Sequence, residues 1–141
     1  MKLRIADWPE AEPHVLPLRL AVFVEEQGVP LELERDDDDP TSRHAWIEAP
    51  DGAVLATGRL LPDGHVGRMA VRADRRGQGL GSQVLRALID AARARGQAAV
   101  VLNAQLEAMP FYARHGFVAE GAVFQDAGLP HRVMRLSLTP R

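Results

Sequence analysis

Residues 69–81 constrain this chain more than any others. The apolar run Met69-Ala70-Val71 leads into Arg72-Ala73-Asp74-Arg75-Arg76, and Gly77, Gly79 and Gly81 follow at alternate positions. Leu80, Val84, Leu85, Leu88, Ile89 and Ala92 then recur at helical spacing. A strand that turns through glycines into a helix N-terminus is a place to hold a phosphate. The first helical turn has N–H groups without partners and a partial positive charge, and glycine lets an anion approach the backbone. Arg72, Arg75 and Arg76 add full charges beside it. Two common phosphate loops do not fit. A P-loop needs Gly-Lys-Ser/Thr, but Gly81 is followed by Ser82, and the only lysine is Lys2. A dinucleotide fingerprint needs G-x-G-x-x-G at the opening of a βαβ unit, and the spacing here is G-x-G-x-G.

The rest of the composition narrows the class. A length of 141 residues, 46% of them hydrophobic, suits one domain over residues 1–141 with a core that needs no staples. A formal charge of −2 lacks the basic excess of a nucleic-acid binder. With no cysteine there is no disulfide, thiolate nucleophile or thiolate metal site, and the five histidines show no ligand spacing. No metal is therefore expected. No apolar run approaches membrane-spanning length, and Met1-Lys2-Leu3-Arg4 does not open a signal peptide, so a cytoplasmic protein without membrane contact is expected. Lys2, at the chain start, is a poor candidate for a Schiff base.

Periodicity and turn residues give the element order. Leu3 to Ala6 reads as a strand, and Pro13 to Gln27 as a helix stopped by Gly28 and Pro30. Three strands follow, His44 to Ala49, Ala53 to Leu61 and His65 to Val71, separated by Pro-Asp-Gly turns. A helix from Gly79 to Gly96 and a buried strand over Ala98 to Leu102 come next. A short helix near Glu107 to His115 precedes two last strands, Phe117 to Phe124 and Arg132 to Leu138. The order β-α-βββ-α-β-α-ββ predicts an α/β chain with a mixed sheet and helices on both faces.

Arg76-Gly77-Gln78-Gly79-Leu80-Gly81 resembles the R/Q-x-x-G-x-G/A signature of the GNAT N-acetyltransferases. About thirty residues on, Phe111-Tyr112-Ala113-Arg114-His115-Gly116-Phe117 resembles their F-Y-x-x-x-G-F segment, and the element order matches their fold over nearly the whole chain. The ends are similar to one subgroup, the ElaA-like acyltransferases. Arg19 to Gln27 resembles their R-x-x-V-F-x-x-E-Q opening, and Leu129 to Met134 their closing I-P-H-x-x-M. One departure concerns the substrate pocket: Val29-Pro30-Leu31 stands where these relatives often carry Cys-Pro-Tyr.

The resemblance implies a GNAT acyl-CoA N-acyltransferase fold and direct transfer of an acyl group, acetyl-CoA being the expected donor, to a primary amine on a small molecule or peptide. The protein would be a monomer or homodimer. Backbone groups of Met69, Ala70 and Val71 would meet the pantetheine arm, the Val71 N–H polarising the thioester carbonyl. Residues Arg76, Gly77, Gln78, Gly79, Leu80, Gly81 and Ser82 would hold the pyrophosphate. Tyr112, the only tyrosine, would meet the cofactor and protonate the leaving thiolate, or else pack in the core beside Phe111 and Phe117. Asn103 would hold the pantetheine arm or cap the next helix. For the general base there are two candidates. Glu26 would serve if burial raised its pKa, and is otherwise a surface glutamate; His131 is a loop histidine suited to proton transfer. Asp36 to Asp39 cannot be an EF-hand, since Thr41 and Ile47 occupy its glycine and glutamate positions. The run reads as a solvated loop, or alternatively as a border of the acceptor cleft. Two other functions fit the same fold: a non-catalytic CoA-binding sensor or assembly domain, and an acyl-homoserine-lactone-type synthase, suggested in part by Arg19 to Phe23.

Overall fold

The computed structural model describes residues 1–34 and 36–138, Leu33 by its backbone alone. The chain runs through β1 (Lys2–Asp7), α1 (Trp8–Arg19), α2 (Leu31–Glu34), β2 (Arg43–Glu48), β3 (Val54–Leu60) and β4 (His65–Val71). It continues through α3 (Leu80–Ala94), β5 (Ala99–Gln105), α4 (Met109–Arg114), β6 (Val118–Asp126) and β7 (Leu129–Ser137). One seven-stranded sheet has the order β1-β2-β3-β4-β5-β7-β6. Neighbours are antiparallel except β4 and β5, which run parallel and are joined through α3. This is the mixed α/β sheet the element order predicts.

Strand alternation sends successive side chains to opposite faces, and β2 shows it plainly. Ala45 and Ile47 join a core built on Leu80, Val84, Leu85, Leu88 and Ile89 of α3, while Trp46 between them packs against Trp8, Ala11 and Val15 of α1. Helices therefore cover both faces. Gly58 of β3 lies directly under α3: an added Cβ would fall 2.5 Å from Met69 Sδ and 3.0 Å from Leu88 Cδ1. A glycine is needed there so that helix and sheet can approach.

The first helical region differs from its sequence expectation. It starts at Trp8, with Pro9 in the first turn, where a missing N–H costs nothing. Pro13 and Pro17 lie inside α1, and the chain then widens into a π-helix over Leu20–Glu26. Proline removes donors and crowds the preceding turn, so the wider winding downstream has a local cause. The short α2 and the extension of β7 back through Pro130 were not legible either; Pro130 is tolerated because it sits near the start of its strand. Among the described residues no helix is long and apolar enough to cross a membrane.

Candidate active site

The glycine loop forms an open cradle at the head of α3. Gly77 and Gly79 have φ of +80° and +81°, and Gly79 is the N-cap with no side chain capping the helix. A Cβ at either glycine would meet nothing within 4 Å, so the backbone face is uncovered. First-turn amides without a cap are free to bind an anion. Leu80 is buried and points into the core, so only its backbone is available to a ligand. Two of the three loop arginines are already paired. Arg72 donates to Asp74 at 2.6 and 3.1 Å. Arg76 donates through Nε to the Val71 carbonyl at 3.1 Å and through both terminal nitrogens to Glu26 at 2.7 Å each.

Next to the cradle the sheet opens. β4 and β5 pair only at His65–Val101 and Val66–Leu102, and beyond those residues the strands part. A bulge in β4 accompanies the parting. The three residues Thr57 to Arg59 of β3 lie opposite the four residues Gly67 to Ala70 of β4, and Arg68 takes φ +50°. A non-glycine residue in that region is strained. Its guanidinium is tied down by bonds to the Glu34 carbonyl at 3.1 Å and to Asp36 at 3.2 Å.

A cavity of about 590 Å³ fills the opening, lined among others by Met69 of β4, Asn103 and Gln105 of β5, Tyr112 of α4, His131 of β7 and Gln27. Gln105 donates to Gln27 at 3.1 Å, so the end of the π-helical segment is fastened across the cleft. Asn103 is exposed within β5 and three residues short of the next helical turn, which no side chain caps. The helix-cap alternative therefore falls. Ala70 faces the other way, packed with Leu18 and Val22.

Tyr112 belongs to both core and cavity. Its ring meets Phe111 and Phe117 edge-on at centroid distances of 5.0 and 5.9 Å, and burial pushes its phenol pKa up to about 12. It is a neutral donor throughout the physiological range. His131 is buried, stacked on Phe124, with Nδ1 2.8 Å from the Leu129 carbonyl. A carbonyl only accepts, so Nδ1 carries the proton and Nε2 of the neutral ring keeps its lone pair. Glu26 differs from the raised carboxylate that a base role requires. It is exposed, its hydrogen bonds from Arg76 hold its pKa below the ordinary value, and it is not among the cavity-lining residues.

The acidic run also differs from a solvated loop. Asp37 and Asp38 are exposed, but Asp39 is fully buried and Asp36 half-buried, and both are bound by arginines. Arg19, itself buried, donates to Glu34 Oε1 at 2.5 Å and to both oxygens of Asp39 at 2.9 and 3.1 Å. Arg59 reaches Asp36 at 2.6 and 2.8 Å and Asp39 at 2.8 Å. Burial pushes the pKa of Asp39 up, and the bonds from Arg19 and Arg59 more than offset it, leaving the carboxyl below its ordinary value. Glu34, Asp38, Arg59 and Arg68 line the same cavity as Tyr112. Sequence reasoning missed these arginines, although an arginine flanked by apolar residues in a strand, as Arg59 is, carries a signal of its own: a buried guanidinium requires carboxylate partners.

A sheet parted beside an uncapped glycine cradle, with a phenol and an imidazole in the opening, suits an anionic ligand laid along the seam. Residues 13–138 match the family described as acetyltransferase (GNAT) domain. The uncharacterized N-acetyltransferase YjcF of Bacillus subtilis is 36% identical over 137 residues, covering 95% of this chain and 98% of its own. An acyl-CoA N-acyltransferase from Pseudomonas aeruginosa superposes with a TM-score of 0.83 at 34% identity, over 95% of this chain and 97% of that one. Escherichia coli ElaA gives 0.86 at 28% identity, over 96% and 99%. The chain belongs to the GNAT acetyltransferase family, is ElaA-like, and is an N-acetyltransferase.

Proposed function

We propose that this enzyme transfers an acetyl group from acetyl-CoA directly to a primary amine within a ternary complex. The observation that carries the reading is the parted β4–β5 seam, which opens beside the cradle and has Tyr112 and His131 in its lining. The uncapped amides at Gly77–Ser82 suit the pyrophosphate, and the unpaired edges of β4 and β5 suit an amide-bearing arm. Asn103 is the side chain on β5 best set to meet that arm.

Bound acyl-CoA supplies an activated thioester. The chain supplies polarisation and proton transfer. Arg72 N–H donates to Leu55 of β3 at 2.8 Å, so by strand alternation the preceding Val71 N–H faces the opening. There it can stabilise negative charge developing on the acyl oxygen. His131 Nε2 takes the proton from the attacking amine, and the Tyr112 phenol gives one to the departing sulfur. With no cysteine in the chain, no thiolate is available to carry the acetyl group.

The test is release of free thiol from acetyl-CoA against a panel of amines, with CoA affinity measured in parallel. Amine-dependent release is expected. CoA binding without release on any amine would favour a sensor or assembly role, and failure to bind CoA would overturn the reading.

A further inference from the structure

The cavity that holds Tyr112 and His131 has acid in its wall that the reading above does not use. Glu34 lines that cavity and is 1% exposed. Its Oε1 accepts from Arg19 Nε and its carbonyl from Arg19 and Arg68, but Oε2 is buried without a hydrogen-bond partner. A buried carboxylate oxygen left unpaired is costly, so a donor belongs beside it. Asp38 lines the same cavity. Among the described residues its carboxylate comes within 4.0 Å of one cation, Arg59, and that is beyond hydrogen-bond length. Asp126 of β6 is a third carboxylate in the lining.

The cations of this wall are already engaged. Arg59 bonds Asp36 and Asp39 through its terminal nitrogens, and Arg68 bonds Asp36 and the Glu34 carbonyl. Arg59 Nε has no partner either. The carboxylates of Glu34, Asp36, Asp38 and Asp39 nevertheless outnumber the guanidiniums of Arg19, Arg59 and Arg68, so the cluster favours a further cation over an anion.

Resting on the acyl-transfer reading, we infer that the acceptor is an aliphatic diamine or polyamine whose second ammonium group is held by Glu34 Oε2 and Asp38. The first amine gives its proton to His131 and attacks. Its C–N bond forms as the thioester C–S bond breaks, and Tyr112 protonates the sulfur. The second amine stays charged and positions the first. An ammonium group has three N–H donors and can serve two carboxylates at once. A monoamine leaves Oε2 unpaired, and an acceptor ending in a carboxylate meets like charge.

The test measures thiol release from acetyl-CoA with straight-chain diamines, from 1,3-diaminopropane to 1,6-diaminohexane, each against the monoamine of the same length. The native, Asp38→Asn and Glu34→Gln proteins are compared, with CoA affinity measured for all three. In the native protein at least one diamine should exceed its monoamine in kcat/KM by about tenfold or more, the size of one charge-assisted hydrogen bond. Either substitution should bring that ratio below about threefold with CoA affinity unchanged, which shows that the fold survives. Asp38 is exposed, so its variant stays informative should the change at Glu34 disturb the Arg19 cluster. Equal kcat/KM for diamines and monoamines overturns the inference, as does a ratio retained in each variant that still binds CoA. Turnover confined to other amines also overturns it, and all three results leave acyl transfer standing. No thiol release on any amine refutes the transfer reading, and this inference with it.

Discussion

Glu26 grips Arg76 through both carboxylate oxygens, each 2.7 Å from a guanidinium nitrogen, across fifty residues of chain. The end of the π-helical segment is thus bonded to the arginine that opens the glycine loop. Both side chains are exposed, so the pair is weak, and it occupies a cation beside the anion cradle. Glu26→Gln should free that cation. CoA affinity at low salt should rise about two- to fivefold, and the acidic limb of the pH dependence of kcat/KM should persist. Loss of that limb would return Glu26 to the role of base.

His131→Asn is the complementary experiment. Asparagine can keep a hydrogen bond to the Leu129 carbonyl but cannot take a proton. The acidic limb should vanish and kcat should fall by about 10²-fold, with CoA affinity unchanged. A retained limb would mean that the amine arrives neutral or loses its proton to water.

Tyr112→Phe keeps the ring and its contacts with Phe111 and Phe117 while deleting the donor. Turnover should drop by roughly 10²-fold or more, with little change in CoA affinity. Because burial raises the phenol to about 12, activity of the native enzyme should show no loss from tyrosine ionisation up to pH 10. An inflection near pH 10 that Tyr112→Phe removes would contradict this.

Gly79→Val should abolish CoA binding. The residue sits at φ +81°, a conformation a β-branched side chain resists, and the added methyls would stand in the open face of the cradle. Normal CoA affinity in this variant would move the phosphate site elsewhere.

Asp39→Asn should be severely destabilising. It removes the carboxylate shared by Arg19 and Arg59 and leaves two buried guanidiniums short of a partner, a loss of about 3–5 kcal/mol. For a chain of this size that is a fall of roughly 10–17 °C in Tm. The native protein should show the same dependence in acid. Asp36 and Asp39 both have depressed folded pKa values, so their contribution is full above the ordinary aspartate value of about 3.8 and is lost as pH falls through the folded values. Buried His44, also depressed, adds an earlier loss that begins as pH drops below about 6.5. A Tm that stays flat from pH 7 to 3 would contradict both assignments.

The parts of this site that were legible in sequence are those written in contiguous residues. Glycine spacing gave the cradle because the backbone conformation there is a local property of Gly77 and Gly79. The F-Y-x-x-x-G-F segment gave Tyr112 for the same reason. Arg19, Glu34, Asp39 and Arg59 were not legible as a unit, since only the folded sheet brings residues 19 and 59 to one acidic loop. Asp36 to Asp39 read as solvated because a run of like charges normally repels itself into water. Here Arg19 and Arg59 reach Asp39, and Arg59 and Arg68 reach Asp36, reversing that preference. The proposal of His131 rather than Glu26 as base likewise rests on Arg76 and Leu129, partners that no spacing rule names.

The parted seam between β4 and β5 has a consequence for how such an enzyme can change. In the proposed mechanism one leaf of the sheet, β1 to β4, offers the donor mainly peptide groups, which every residue type carries. The other, β5 to β7 with α4, supplies Asn103, Tyr112 and His131. If the proposed mechanism holds, substitutions along β4 that keep its bulge can accumulate without loss of donor binding, whereas proton transfer depends on a few identities across the gap. The two leaves meet in register at only two residue pairs. Under that mechanism each can drift under its own constraints, with grip on the carrier held by backbone shape and the choice of chemistry held by side chains.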